Sequence, residues 1–179
     1  MADNGASLRF WTELLQLPGF EVAHVEQDDQ QRLYNLTVIP AHSVGVCPHC
    51  SELCDEVHQR RTRDRIRDLP ISQYHVDLSI RLPQLWCARC QRAFTPPCAV
   101  LAEGAHATER FLERAAQLIR QSDVANAARF FAVPEKTLED WYYDWVERQQ
   151  AQMAMPTTPI RRIGIDELSL KKNTASSWR

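Results

Sequence analysis

Hydrophobic residues follow two rhythms along the chain, one of helices and one of strands. Leu8, Trp11, Leu14, Leu15 and Leu17 recur at helical spacing, and Pro18-Gly19 closes that helix. Residues 20–26 and 32–39 read as two strands around the polar turn Gln27-Asp28-Asp29-Gln30-Gln31. From Tyr74 the period is two. Tyr74, Val76, Leu78, Ile80 and Leu82 alternate with His75, Asp77, Ser79 and Arg81, the pattern of a half-buried strand. Just upstream, Arg61, Arg63, Arg65 and Arg67 alternate with Thr62, Asp64, Ile66 and Asp68. If that segment is extended as well, four guanidinium groups share one face.

The second half changes to a helical period. Residues 95–107 (TPPCAVLAEGAHA) break the pattern with Pro96-Pro97 and Gly104. In Thr108–Gln121, Phe111, Leu112, Ala115, Ala116, Leu118 and Ile119 form one apolar face, with Thr108 as N-cap. Ser122 is expected to cap a short second helix with Val124, Ala127, Ala128 and Phe131 inward. Ala132-Val133-Pro134 makes a tight turn, and Pro134 suits the first position of a third helix. Leu138, Trp141, Tyr142, Trp145 and Val146 stripe that helix, and the two tryptophans read as core rather than as a base-stacking platform.

Three short helices with a tight turn before the last have the layout of a helix-turn-helix, although a plain helical bundle shares the pattern. In a helix-turn-helix the start of the last helix faces the major groove. That start holds Glu135, Lys136 and Thr137, then Glu139 and Asp140. Lys136 and Thr137 are the candidate DNA contacts. The acids repel phosphate, though a carboxylate can accept a hydrogen bond from cytosine N4. Residues 149–160 lose periodicity and read as a linker. A strand-like segment carrying Asp166 follows, and a lone acid there is structural by default.

Length and charge narrow the choice. At 179 residues the chain makes one or two compact units. No apolar run approaches the roughly 18 residues of a transmembrane helix, and the N-terminus lacks the basic-then-apolar signature of a signal peptide. The expected setting is cytoplasmic. The net charge of −2 conceals alternating blocks: −5 over residues 1–54, +3 over 55–100, −3 over 101–150 and +3 over 151–179. Any nucleic-acid binding must come from local patches.

The cysteines carry the most chemistry. Of six, four form two Cys-x-x-Cys pairs, Cys47-Pro-His-Cys50 and Cys87-Ala-Arg-Cys90. Each such turn aims two thiolates at one point, and Zn²⁺ takes four donors tetrahedrally with Zn–S near 2.3 Å. Two turns close the coordination shell, so the metal is structural. The spacer, residues 51–86, exceeds the usual 15–20 residues between pairs and needs structure of its own; a ribbon of strands fits. Cys54 and Cys98 fall outside the spacing and are read as non-ligands. Competing readings are a redox Cys-Pro-His-Cys, free core thiols and, for the arginine row, a solvated strand face.

The motifs CPHC, RTRDRIRDLPI, LWCARCQRAF, SDVANAARFFAVPEKTLEDWYYDW and IGIDELSLKK, in that order over residues 8–172, resemble bacterial insertion-sequence transposases of the ISL-three family. The resemblance implies an α+β, modular fold: a small β-rich zinc-ribbon-like module, a trihelical helix-turn-helix and the first strand of a ribonuclease-H-like domain. The corresponding bounds are 1–46 (helix and β-hairpin), 47–98 (zinc ribbon), 104–150 (helix-turn-helix), 151–160 (linker) and 161–179 (start of the catalytic domain). It implies structural Zn²⁺ on Cys47, Cys50, Cys87 and Cys90, and Mg²⁺ only in a full-length catalytic domain. By position Asp166 matches the first acid of the family's triad. After Lys172 the sequence reads NTASSWR, so the expectation is a truncated transposase that does not itself catalyse transposition.

The expected partner is double-stranded DNA at transposon terminal inverted repeats, with Arg61, Arg63, Arg65 and Arg67 on phosphates. Four such contacts give a slope of log K against log[salt] of about −3.6. Contacts with full-length transposase or with itself, an inhibitory role, and a thiol oxidoreductase are the alternatives.

Overall fold

The computed structural model describes residues 4–152, which form an α+β structure with four helices and a mixed β-sheet. Helix α1 (Asn4–Leu15) presents Leu8, Trp11 and Leu15 to the sheet. It lies earlier than the hydrophobic spacing indicates, ending where Gln16 enters the left-handed region (φ 48°). Thr12 Oγ1 accepts from the Val22 N–H at 2.9 Å and ties the helix to the first strand. Strands β1 (Phe20–Asp28) and β2 (Leu33–Pro40) form an antiparallel hairpin.

The centre is a long hairpin of β5 (Val57–Ile71) and β6 (Tyr74–Cys87). The sheet order is β1-β2-β6-β5, with β2 parallel to β6. The expected division at residue 46 is therefore crossed by the sheet: residues 33–40 and 74–87 share one core. Leu36, Val38, Val76, Leu78 and Ile80 are fully buried there beneath α1. Two short hairpins, β3 (Gly45–Val46) with β4 (Leu53–Cys54), and the end of β6 with β7 (Arg92–Phe94), lie at the opposite end. A Cβ on Gly45 would stand 2.7 Å from Pro96 Cγ, so the proline loop packs on bare backbone.

The alternation of β6 changes phase partway. Val76, Leu78, Ile80 and Leu82 are buried, then Pro83, then Leu85 and Cys87. Since successive side chains alternate faces, the last two lie on the opposite face from the first four. One strand thus serves two cores, an aliphatic one at one end and a cysteine-rich one at the other.

Helices α2 (Glu109–Gln121), α3 (Val124–Phe131) and α4 (Glu135–Gln152) bury Phe111, Phe131, Leu138 and Trp145 among themselves. Thr108 caps α2, accepting from the Phe111 N–H. The cap of α3 is Asp123 rather than Ser122, whose hydroxyl instead closes α2 on the Leu118 carbonyl. Ala132 turns the chain in the left-handed region (φ 50°) between α3 and α4. Helix α4 runs to Gln152, into the expected linker, and its Trp145 is core. The rest of that linker and the segment with Asp166 lie outside the described residues.

Candidate metal centre and nucleic-acid surface

Each Cys-x-x-Cys sits at a hairpin tip. Cys47 follows β3 and Cys50 precedes β4, while Cys87 ends β6 and Cys90 precedes β7. In the first knuckle the Cys47 N–H donates to the Glu52 carbonyl (2.8 Å) and the Ser51 N–H to the Cys47 carbonyl (2.9 Å). The residue after each second cysteine, Ser51 (φ 60°) or Gln91 (φ 51°), is left-handed, which folds both tips back in the same way. Nothing in the sequence marks these two positions, because glycine is the usual residue there.

The hairpin tips converge. Cys47 Sγ lies 3.9 Å from Cys90 Sγ, Cys50 Sγ lies 3.6 Å from Cys87 Sγ, and all four sulfurs lie within 4.8 Å of one another. A tetrahedron with bonds near 2.3 Å has edges of about 3.8 Å, so the quartet matches Zn²⁺ in size as well as donor type. All four donors come from protein, which leaves no coordination position for a substrate.

The electrostatics favour a cation. The Cys90 N–H, helped by the thiols of Cys50, Cys47 and Cys54, brings the Cys87 thiol down to about 6. Interaction with Cys50, then burial, pushes Cys90 up to about 12. Four sulfurs this close cannot all be anionic without a positive ion among them.

Cys54 is buried beside the quartet but outside it, and burial pushes its thiol up to about 11. Cys98 packs elsewhere, against the aliphatic core.

The arginine row departs from expectation. A bulge between Arg63 and Ile66, with Arg65 left-handed (φ 56°), slips the register of β5 against β6. Cross-strand partners share a face. Arg61 and Arg63 face Leu82 and Ile80, whereas Arg67 faces Asp77 on the other side. The four guanidinium groups therefore do not share one face, because an extra residue in one strand inverts every later position. Arg67 is also spent on an ion pair with Asp77 (3.2 Å) and is largely covered. Arg61, Arg63 and Arg65 are exposed.

Lys136 is exposed at the start of α4 and pairs with Asp140 (2.8 Å) and Glu139 (3.2 Å); Asp140 is the main cause of its raised pKa. Thr137 beside it is half-buried.

A polar joint between the sheet and the helices gave no signal in the sequence. Asp68 is buried, accepting from Thr108 Oγ1 (2.7 Å) and Arg110 Nε (2.8 Å), with Arg110 Nη2 on its second oxygen. The same guanidinium donates to the carbonyls of Leu15 (2.9 Å) and Gln16 (3.1 Å) at the end of α1. Sequence separations of 42 and 95 residues hide these contacts from any local pattern.

Residues 43–90 match the family described as the zinc-finger of transposase IS204/IS1001/IS1096/IS1165. The chain is 31% identical over 159 residues to the transposase for insertion sequence element IS1001 of Bordetella parapertussis, an alignment covering 86% of this chain and 37% of that protein. The chain thus spans well under half the length of that relative. No solved structure matches it. The order of motifs, the zinc-finger match across the cysteine quartet and the identity along most of the chain place it in the ISL-three family of insertion-sequence transposases.

Proposed function

We propose that these residues form the part of a transposase that grips transposon ends, with the zinc knuckles holding a basic β-strand in place and α3–α4 acting as a helix-turn-helix. The partner is double-stranded DNA at the terminal inverted repeats, in the bacterial cytoplasm. One observation carries the reading: residues 58–65 of β5 are exposed without interruption, hold four arginines, and end beside the cysteine quartet. In this reading Cys47, Cys50, Cys87 and Cys90 hold structural Zn²⁺, which fixes the register of the two knuckles. Arg61, Arg63 and Arg65 meet phosphates, whereas Arg67 remains with Asp77. Three contacts lower the salt slope to about −2.7 from these side chains.

Lys136 and Thr137 make the weaker contacts, since Lys136 must leave Asp140 and Glu139 to reach DNA. Asp166 belongs to the proposal as one carboxylate of a ribonuclease-H-like acidic site for Mg²⁺.

The test is an electrophoretic shift of zinc-loaded chain on duplexes carrying the element's terminal repeats and on scrambled duplexes. Preference for the repeats, lost with zinc, is expected. Equal affinity for both duplexes overturns end recognition.

A further inference from the structure

A strand of a folded domain ordinarily hides one of its faces. Residues 58–65 hide neither, although Gln59–Arg63 among them are paired to β6. The outer edge of β5 is closed at Arg67, where the Arg67 N–H donates to the His106 carbonyl and the Thr108 N–H to the Arg67 carbonyl (2.9 and 3.0 Å). Beyond that contact, residues 57–65 pair with no strand other than β6 among the described residues.

The charges on this edge are divided between its two faces. Arg61 and Arg63 lie on the Leu82/Ile80 face, while Arg60, opposite Pro83, lies on the other, beside Arg81, which faces Thr62. None of the four makes an ion pair among the described residues, and the nearby Asp64 accepts from Ser79 Oγ at 2.7 Å. A flat acidic surface can engage only one face of such a strand. A groove with phosphates on both walls engages both. The major groove of B-DNA, about 12 Å wide, admits a two-stranded ribbon, whereas the minor groove at about 6 Å does not.

We propose that β5 enters the major groove edge-on, with Arg61 and Arg63 on one phosphate wall and Arg60 and Arg81 on the other. This rests on the DNA-binding reading above and adds the groove, the orientation and two contacts, Arg60 and Arg81. The zinc knuckles then act as the stop that keeps the exposed end of the ribbon from fraying as it enters.

The experiment uses the zinc-loaded chain and a fluorescent duplex of arbitrary sequence, read by anisotropy across a salt series. Two double variants are compared, R61A/R63A and R60A/R81A, with zinc content measured to show that the fold is kept. Each is expected to shallow the salt slope by about 1.8, corresponding to two lost phosphate contacts. Methyl green, a major-groove ligand, displaces the protein, and netropsin, a minor-groove ligand, does not.

The groove proposal is overturned if either pair leaves the slope unchanged, if netropsin displaces the chain, or if single-stranded RNA outcompetes the duplex. A wild-type chain that binds no duplex at all overturns the DNA-binding reading as well, so the two failures are distinguishable.

Discussion

The two ends of strand β6 are held together by different physics. At the Val76–Leu82 end, aliphatic side chains from α1, β2, β5 and β6 exclude water, and no metal is needed. At the Leu85–Cys87 end the core is Leu85, Phe94 and cysteines, too little apolar surface to close two short hairpins. Burial alone determines the first end; the second depends on an ion. The same strand accordingly carries a durable half and a conditional half, and the exposed arginines span the junction: Arg61 and Arg63 lie opposite Leu82 and Ile80 of the durable half, and Arg60 lies opposite Pro83 next to the conditional one.

Zinc removal tests that contrast most severely. Structural zinc in such modules contributes about 10–16 kcal/mol of apparent binding free energy at neutral pH. Chelation is expected to erase amide-exchange protection over residues 45–54 and 85–94 while leaving α2–α4 and the Val76–Ile80 stretch protected. Uniform loss of protection along the chain would mean that the two ends form one cooperative unit.

Next in size is the joint at the durable end. Asp68→Ala leaves the Arg110 guanidinium without its buried partner and is expected to cost about 3–5 kcal/mol in denaturant unfolding. The cost should be the same with and without zinc, since the quartet lies at the other end of the ribbon. A cost below about 1 kcal/mol would show that the joint is ornamental.

Acid separates the halves more gently. Zinc binds thiolates, and the raised pKa values of Cys50 and Cys90 mean that both release protons on metal uptake at neutral pH. Zinc affinity therefore falls as pH drops, by at least roughly 100-fold per unit from the protons of Cys50 and Cys90 alone. Competition with a chromophoric chelator at pH 6, 7 and 8 measures this; a flat profile would show that the thiols are already ionised. The smallest expected effect is Lys136→Ala, which removes the exposed pairs with Asp140 and Glu139 and should leave the thermal-unfolding midpoint essentially unchanged.

Legibility followed the range of the interaction. Cys-x-x-Cys spacing is a local statement about turn geometry, and the four cysteines it singles out are the four that converge. Helix stripes are local too, and Phe111, Leu138 and Trp145 occupy the core as their spacing requires. Near misses concern single residues: Asp123 caps α3 in place of Ser122 because both are good capping residues in adjacent positions.

By itself the sequence indicated the main helices, the first hairpin, the strand from Tyr74 and the paired cysteines, because each depends on neighbours a few positions apart, and the order of its motifs carried the family resemblance. Only the tertiary structure decided that Arg61 and Arg67 face opposite ways, that β6 changes its buried face, and that Asp68, Arg110 and the end of α1 form one joint. Those outcomes are set by strand register and by contacts across tens of residues. A one-residue slip there inverts a whole face without changing a letter of the pattern.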